Sequence, residues 1–132
     1  MYLVDTHALL WSIGRSDELS ERVRAIIEDG SNEINVSTIS LWEISLKYSL
    51  GKLVLGSLTP DQIPTCCERL GFRILPLESQ IASTYHLLTR IREHRDPFDR
   101  MLVHKCITAK LTLLSRDKRM EKYRHHSLRC IW

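Results

Sequence analysis

A chain of 132 residues that is 43% apolar and 27% charged suits one globular domain spanning 1–132, and excludes both global disorder and a second core. No run approaches the ~20 apolar residues of a membrane span. An acid, Asp5, also arrives before a signal-peptide core could form, so a cytoplasmic location without membrane attachment is expected. The net charge of +3 is unevenly spread: residues 100–132 hold nine Lys or Arg against two acids, and the rest carries ten basic against fourteen acidic groups. A basic C-terminal third points to an anionic partner, nucleic acid first, with a merely solvated surface as the competing reading.

Tyr2-Leu3-Val4 reads as a short buried strand ending at Asp5. Ser20 is placed to cap a helix with Val23, Ile26 and Ile27 on one face, closed by Gly30. Glu33 to Ser37 alternates as a strand does, and Thr38 to Tyr48 returns to helical period with Gly51 as the stop. Thr59-Pro60 opens a helix reaching Leu70 and Gly71, in the order of a cap and a first-turn proline.

Further strands are expected over Phe72–Leu75, Leu111–Leu114 and Leu128–Ile131. Helices are expected over residues 78–92 and Asp96–Ala109, with a short helical turn over Lys118–Tyr123. Alternation of this kind predicts an α/β domain with a mainly parallel sheet. Cys66, Cys67, Cys106 and Cys130 form no C-x-x-C pair and are expected as reduced, largely buried thiols. Trp11 and Trp42 fall on apolar faces, so core packing is expected for both.

Acids recur where strands hand over to helices. Asp5 ends the first strand, Glu43 lies on the helix after the second, Asp96 and Asp99 begin a helix, and Asp117 follows the fourth strand. In an open parallel sheet such positions face one crevice, so residues far apart in sequence can converge. Each acid also has an ordinary explanation. Asp is a favoured N-cap, and Glu43 can pair with Lys47 one turn on. Glu43 resists that reading most, because an acid inside the apolar stretch Ile39–Leu46 risks burial. Gathered carboxylates repel one another, and a hard divalent cation relieves the repulsion while activating water against a phosphodiester.

Four stretches in order resemble the PIN domain, and more narrowly VapC-type toxins of toxin–antitoxin pairs. They are Leu3 to Trp11, Ser37 to Lys47 with its Gly51-Lys52-Leu53 extension, Arg95-Asp96-Pro97-Phe98-Asp99-Arg100-Met101-Leu102, and Leu113-Leu114-Ser115-Arg116-Asp117. The resemblance implies a Rossmann-like parallel sheet of about five strands flanked by helices, and Mg²⁺- or Mn²⁺-dependent endonucleolytic cleavage of RNA leaving 5′-phosphate and 3′-hydroxyl ends. It assigns Asp5, Glu43, Asp99 and Asp117 as the catalytic, metal-holding quartet, with Asp96 as an additional acid. Thr6 and Ser115 would orient a carboxylate or a bound water. It further implies a VapB-like antitoxin partner and a homodimer.

His104 and Lys105 depart from the residues usual in relatives, which puts the local packing in question. Arg100, Arg116, Lys118 and Arg119 are candidates for RNA phosphate contacts, with solvated surface the equal alternative. The adjacent His125 and His126 suit an ordinary surface pair better than metal-free acid–base catalysis. A receiver-like signalling module would need adjacent acids after the first strand, and a dehalogenase-like phosphatase needs Asp-x-Asp there. Asp5-Thr6-His7 supplies neither. A PIN nuclease of RNA processing or decay would carry the same site as a toxin.

Overall fold

The computed structural model describes residues 1–132. Its elements are β1 (Tyr2–Val4), α1 (Thr6–Gly14), α2 (Glu21–Glu28), β2 (Ile34–Ser37), α3 (Thr38–Ser49), α4 (Ile63–Arg69), β3 (Arg73–Leu75), α5 (Ser79–Ser83), α6 (Pro97–Ala109), β4 (Thr112–Leu114) and β5 (Arg129–Ile131), with a 3₁₀ segment over Lys118–His126. The strands form one sheet in the order β3-β2-β1-β4-β5, every neighbouring pair parallel. The expected α/β architecture of five parallel strands flanked by helices is what the chain adopts. No helix is long and apolar enough to cross a membrane.

Strand periodicity divides the core in two. Leu3 and Leu113, paired across β1 and β4, face Leu102, Val103, Cys106 and Tyr123. Val4 and Leu114 face the other way, onto Ala8, Leu9, Val23 and Ile44. A one-residue slip would exchange those two sets, so the register is set by burial on both sides. Side-chain caps start the helices: the Ser20 hydroxyl accepts from the Val23 amide at 3.1 Å and the Ser37 hydroxyl from Ile39 at 3.2 Å. All four cysteines are free, and burial pushes the thiols of Cys67 and Cys130 up to about 11, which leaves them unreactive.

Two expectations need correction. The helix over 78–92 is only α5, followed by a 3₁₀ turn at Tyr85–Leu87 and irregular chain to Asp96. The Thr84 hydroxyl donates back to the Gln80 carbonyl at 2.7 Å, and Arg100 Nη1 reaches the Thr89 carbonyl at 3.3 Å. Carbonyls that a helix would spend internally are thus claimed by side chains, and tertiary demand overrides periodicity. Trp42 is the other correction. It is 64% exposed, with only the edge of the Phe98 ring against it at 5.1 Å between centroids. Trp11 does pack against the core, between Trp132 and the guanidinium of Arg116.

His104 and Lys105 are both buried and both satisfied. His104 Nε2 lies 3.0 Å from the Thr84 hydroxyl, while Lys105 Nζ donates to the Pro76 carbonyl and to Glu78, each at 2.7 Å. Lys105 ties α6 to the segment ahead of α5. Lys105→Ala should therefore lower the unfolding free energy by roughly 2–4 kcal/mol, since it empties a packed site and strands a carbonyl. Glu78→Gln, at a half-exposed side chain that can still accept, should lower it by less than about 1 kcal/mol in the same urea titration.

Candidate active site

The chain begins in the middle of the sheet, builds β2 and β3 to one side, then crosses to place β4 on the other side of β1. The strand order reverses between β1 and β4, and that reversal opens a crevice at their carboxyl ends. Asp5 follows β1 directly, Ser115 follows β4, and Asp117 lies two residues further on. Asp99 enters from the first turn of α6 and Glu43 from the middle of α3.

Asp5 is 5% exposed and caps α1, one carboxylate oxygen accepting from the Ala8 amide at 2.7 Å. Burial pushes its pKa up to about 6, although the Ala8 amide, the Ser115 hydroxyl and His7 all favour the ionised form; the charge of Asp99 pushes it up further. Ser115 also accepts from the Asp117 amide at 3.2 Å, so a single hydroxyl sits between the loops that carry two of the acids.

Glu43 is 2% exposed and both of its oxygens are engaged. The Thr6 hydroxyl donates to one at 2.6 Å, and Lys47 forms an ion pair with the other. Thr6 has one proton to give and gives it to the carboxylate. The Ser40 hydroxyl, 3.1 Å from Thr6, can then donate to the threonine oxygen. The i,i+4 pairing with Lys47 and the burial of the acid are both present. Burial alone would lower the Lys47 pKa, but Glu43, with Asp96 and Asp99 nearby, holds it above the usual lysine value.

Asp99, Asp117 and His94 come together. One donor atom from each lies within 4.8 Å of the others. His94 Nε2 is 3.7 Å from Asp99 Oδ2, beyond hydrogen-bond range. Asp117 is gripped by Arg119, whose guanidinium donates to both carboxylate oxygens, the shortest contact being 2.7 Å. Burial would raise the Asp117 pKa, and these bonds hold it below the usual carboxylate range instead. Asp96 caps α6 by accepting from the Asp99 amide at 3.0 Å, which fixes the turn that presents Asp99.

The candidate phosphate-binding residues separate. Arg116 and Lys118 are exposed, and Arg119 faces Asp117. Arg100 differs from the free surface cation expected: it is 8% exposed, with Nε donating to the Tyr85 hydroxyl and Nη1 to the Tyr123 hydroxyl, both at 2.9 Å, so most of its guanidinium is spent inside the protein although the residue lines the floor of a cleft. That open cleft, of about 860 Å³ beside the acids, is also lined by the exposed Arg90, Arg92 and Arg95. Arg90 and Arg92 escaped sequence reading because they sit in what looked like an ordinary helix, while Arg95 stood out only as the first residue of the stretch that carries Asp96 and Asp99. His94 was missed as well, and its one sequence signal is its place two residues ahead of the capped start of α6.

Carboxylate oxygens with one imidazole nitrogen form a donor set that suits a divalent cation. Two features fit one: a buried acid whose ionised form lacks full compensation, and a buried imidazole nitrogen, His94 Nε2, without a partner.

A family model described as PIN domain matches residues 2–125. Ribonuclease VapC16 of Mycobacterium tuberculosis is 37% identical over 71 residues, or 54% of this chain, and the match spans about half of that protein, 48%. The fold is similar to that in a structure of DNA-bound VapBC from Salmonella typhimurium, with TM-score 0.68 and 20% identity over 98% of this chain and 96% of that one. VapBC2 from Rickettsia felis bound to a promoter DNA fragment gives TM-score 0.62 and 17% identity over 98% and 96% of the two chains. FitAcB from Neisseria gonorrhoeae gives TM-score 0.60 and 22% identity over 100% and 97%. With the family model covering almost the whole chain and the sheet order matching an open parallel α/β domain, this chain belongs to the PIN-domain family.

Proposed function

We propose that this protein is an endoribonuclease dependent on Mg²⁺ or Mn²⁺, acting in the cytoplasm as the toxin of a VapBC-type pair. The observation that carries this reading is the meeting of Asp99 and Asp117 at the strand-order reversal, with buried Asp5 near enough to Asp99 for the two charges to interact and with Glu43 buried on α3. Asp5 and Asp99 would hold the ion, with Asp117 completing the site when Arg119 releases it. A divalent ion bound there lowers the pKa of water and offsets charge on a phosphodiester. Glu43, held by Thr6 and Lys47, keeps the Lys47 ammonium at the edge of the acids, where it can meet a phosphate oxygen. Arg116, Lys118 and the arginines of the adjoining cleft would bind the RNA backbone without reading its sequence.

An antitoxin resembling VapB has a surface to use. Trp42, Phe98, Met101 and Ile39 line a small apolar groove between α3 and α6, and the exposed Trp42 ring rests against Phe98, the residue before Asp99. The matched VapBC structures carry the name of such a pair, and a homodimeric toxin accompanies this reading. Purified protein should cleave single-stranded RNA in Mg²⁺, stop in EDTA, and lose at least about a hundredfold in rate as Asp5→Asn, as removing a ligand's charge from a metal site implies. Undiminished cleavage by the variant removes Asp5 from the mechanism. Continued cleavage by the complex recovered on co-expression with a VapB-like protein removes the antitoxin.

Asp5 also gives the ion-free protein a pH dependence. Its carboxyl sits at about 6 in the folded chain against 3.8 in the unfolded one, so between those values the native state binds more protons. Its contribution to stability is complete below about pH 4 and is lost as pH rises through 6, a change of about 3 kcal/mol. Asn at this position still caps the helix and carries no charge. In EDTA, Asp5→Asn should unfold at higher urea than the wild type near pH 7.5, and the advantage should vanish near pH 4. An equal difference at both values would show that Asp5 burial carries no such penalty.

A further inference from the structure

His94 stands in the loop ahead of α6, its side chain fully buried, with one ring nitrogen tied and the other free. Nδ1 lies 2.8 Å from the Tyr123 hydroxyl, whose oxygen also accepts from Arg100 Nη1 at 2.9 Å. Arg100 is fixed in turn by the Tyr85 hydroxyl and the Thr89 carbonyl. The ring is thereby locked in orientation, and Nε2 is aimed at Asp99 and Asp117.

Neither tautomer leaves Nε2 comfortable in the protein alone. A proton on Nε2 would point at Asp99 Oδ2 across 3.7 Å, too far for a hydrogen bond. A proton on Nδ1, donated to the tyrosine oxygen, leaves the Nε2 lone pair facing two carboxylates. That arrangement is repulsive unless a positive charge, an ion between the groups or a second proton on the ring, offsets it. A separation of 3.7 Å is wider than the roughly 3.0–3.4 Å between donor atoms that share one ion through bonds of ~2.1 Å, so the two groups would draw together by a few tenths of an ångström to hold it. A bond from Nδ1 to a fixed partner is also the usual support of a metal-binding histidine.

We infer that His94 Nε2 is a ligand of the divalent ion, shared with Asp99 and Asp117. The site is then a mixed nitrogen–oxygen site and not an all-carboxylate one. A nitrogen ligand favours Mn²⁺ and later transition ions over Mg²⁺, which prefers oxygen and gives up its waters reluctantly. Arg119, now folded onto Asp117, is the group that would move aside as the ion enters.

This inference rests on the reading of the cleft as a divalent-ion site, and the two can fail separately. Protein labelled with ¹⁵N-histidine and loaded with Mn²⁺ is measured by electron spin echo envelope modulation. The wild type should show histidine nitrogen coupling, His7→Gln, at the exposed histidine nearest Asp5, should keep it, and His94→Gln should lose it. Competition titration should show the preference for Mn²⁺ over Mg²⁺ falling about tenfold or more in His94→Gln. Bound Mn²⁺ without nitrogen coupling in the wild type overturns the histidine ligand and leaves the ion site standing, and this outcome needs no variant to fold. Coupling that disappears in His7→Gln overturns it too. Failure to bind Mn²⁺ at all overturns both readings.

Discussion

Negative charges held a few ångströms apart in a partly buried cleft repel one another, and much of the polar chemistry of this molecule answers that repulsion. Glu43 is met by Lys47 and Thr6, and Asp117 by Arg119. Asp96 spends an oxygen on the Asp99 amide. Burial lifts the Asp5 carboxyl to about 6 against the help of an amide, a hydroxyl and His7, and Asp99 adds to the rise. A protein optimised for stability alone would not gather these groups. Their meeting at the strand-order reversal is where stability is given up locally, as the raised Asp5 carboxyl shows.

The side chains that hold the cluster reach deep into the second core. Tyr123 is fully buried beneath α6 and touches both His94 and Arg100, while Arg100 also anchors the irregular segment after α5. Packing and site are therefore one network. The basic cleft beside the acids lies along that irregular segment, whose carbonyls are met by Arg100 and Thr84 and whose Arg90, Arg92 and Arg95 are exposed. Arg100, a candidate phosphate contact in sequence, spends its hydrogen bonds on Tyr85, Thr89 and Tyr123 at the floor of that cleft.

What was legible in the sequence was whatever rests on local pattern. Apolar runs such as Tyr2–Val4 and Leu111–Leu114, the caps at Ser20 and Asp96, and the acids at strand ends pointed to the sheet and to its crevice, because burial period and capping chemistry act over a few residues. The ring of acids was nameable for the same reason. What escaped depended on partners remote in the chain. His94 acquires meaning only through Tyr123, twenty-nine residues on, and Lys105 only through Pro76 and Glu78. The exposure of Trp42 follows from its place on the rim of the α3–α6 groove, a property of two helices together and not of its own apolar neighbours.

The functional reading depends on separated acids forming one divalent-ion site at the ends of β1 and β4. Anomalous diffraction from crystals soaked in Mn²⁺ addresses this without an activity assay. A peak bounded by the carboxylates of Asp5, Asp99 and Asp117 is expected, with Arg119 displaced from Asp117. An empty cleft, with Arg119 still clasping Asp117 at full Mn²⁺ saturation, would contradict it.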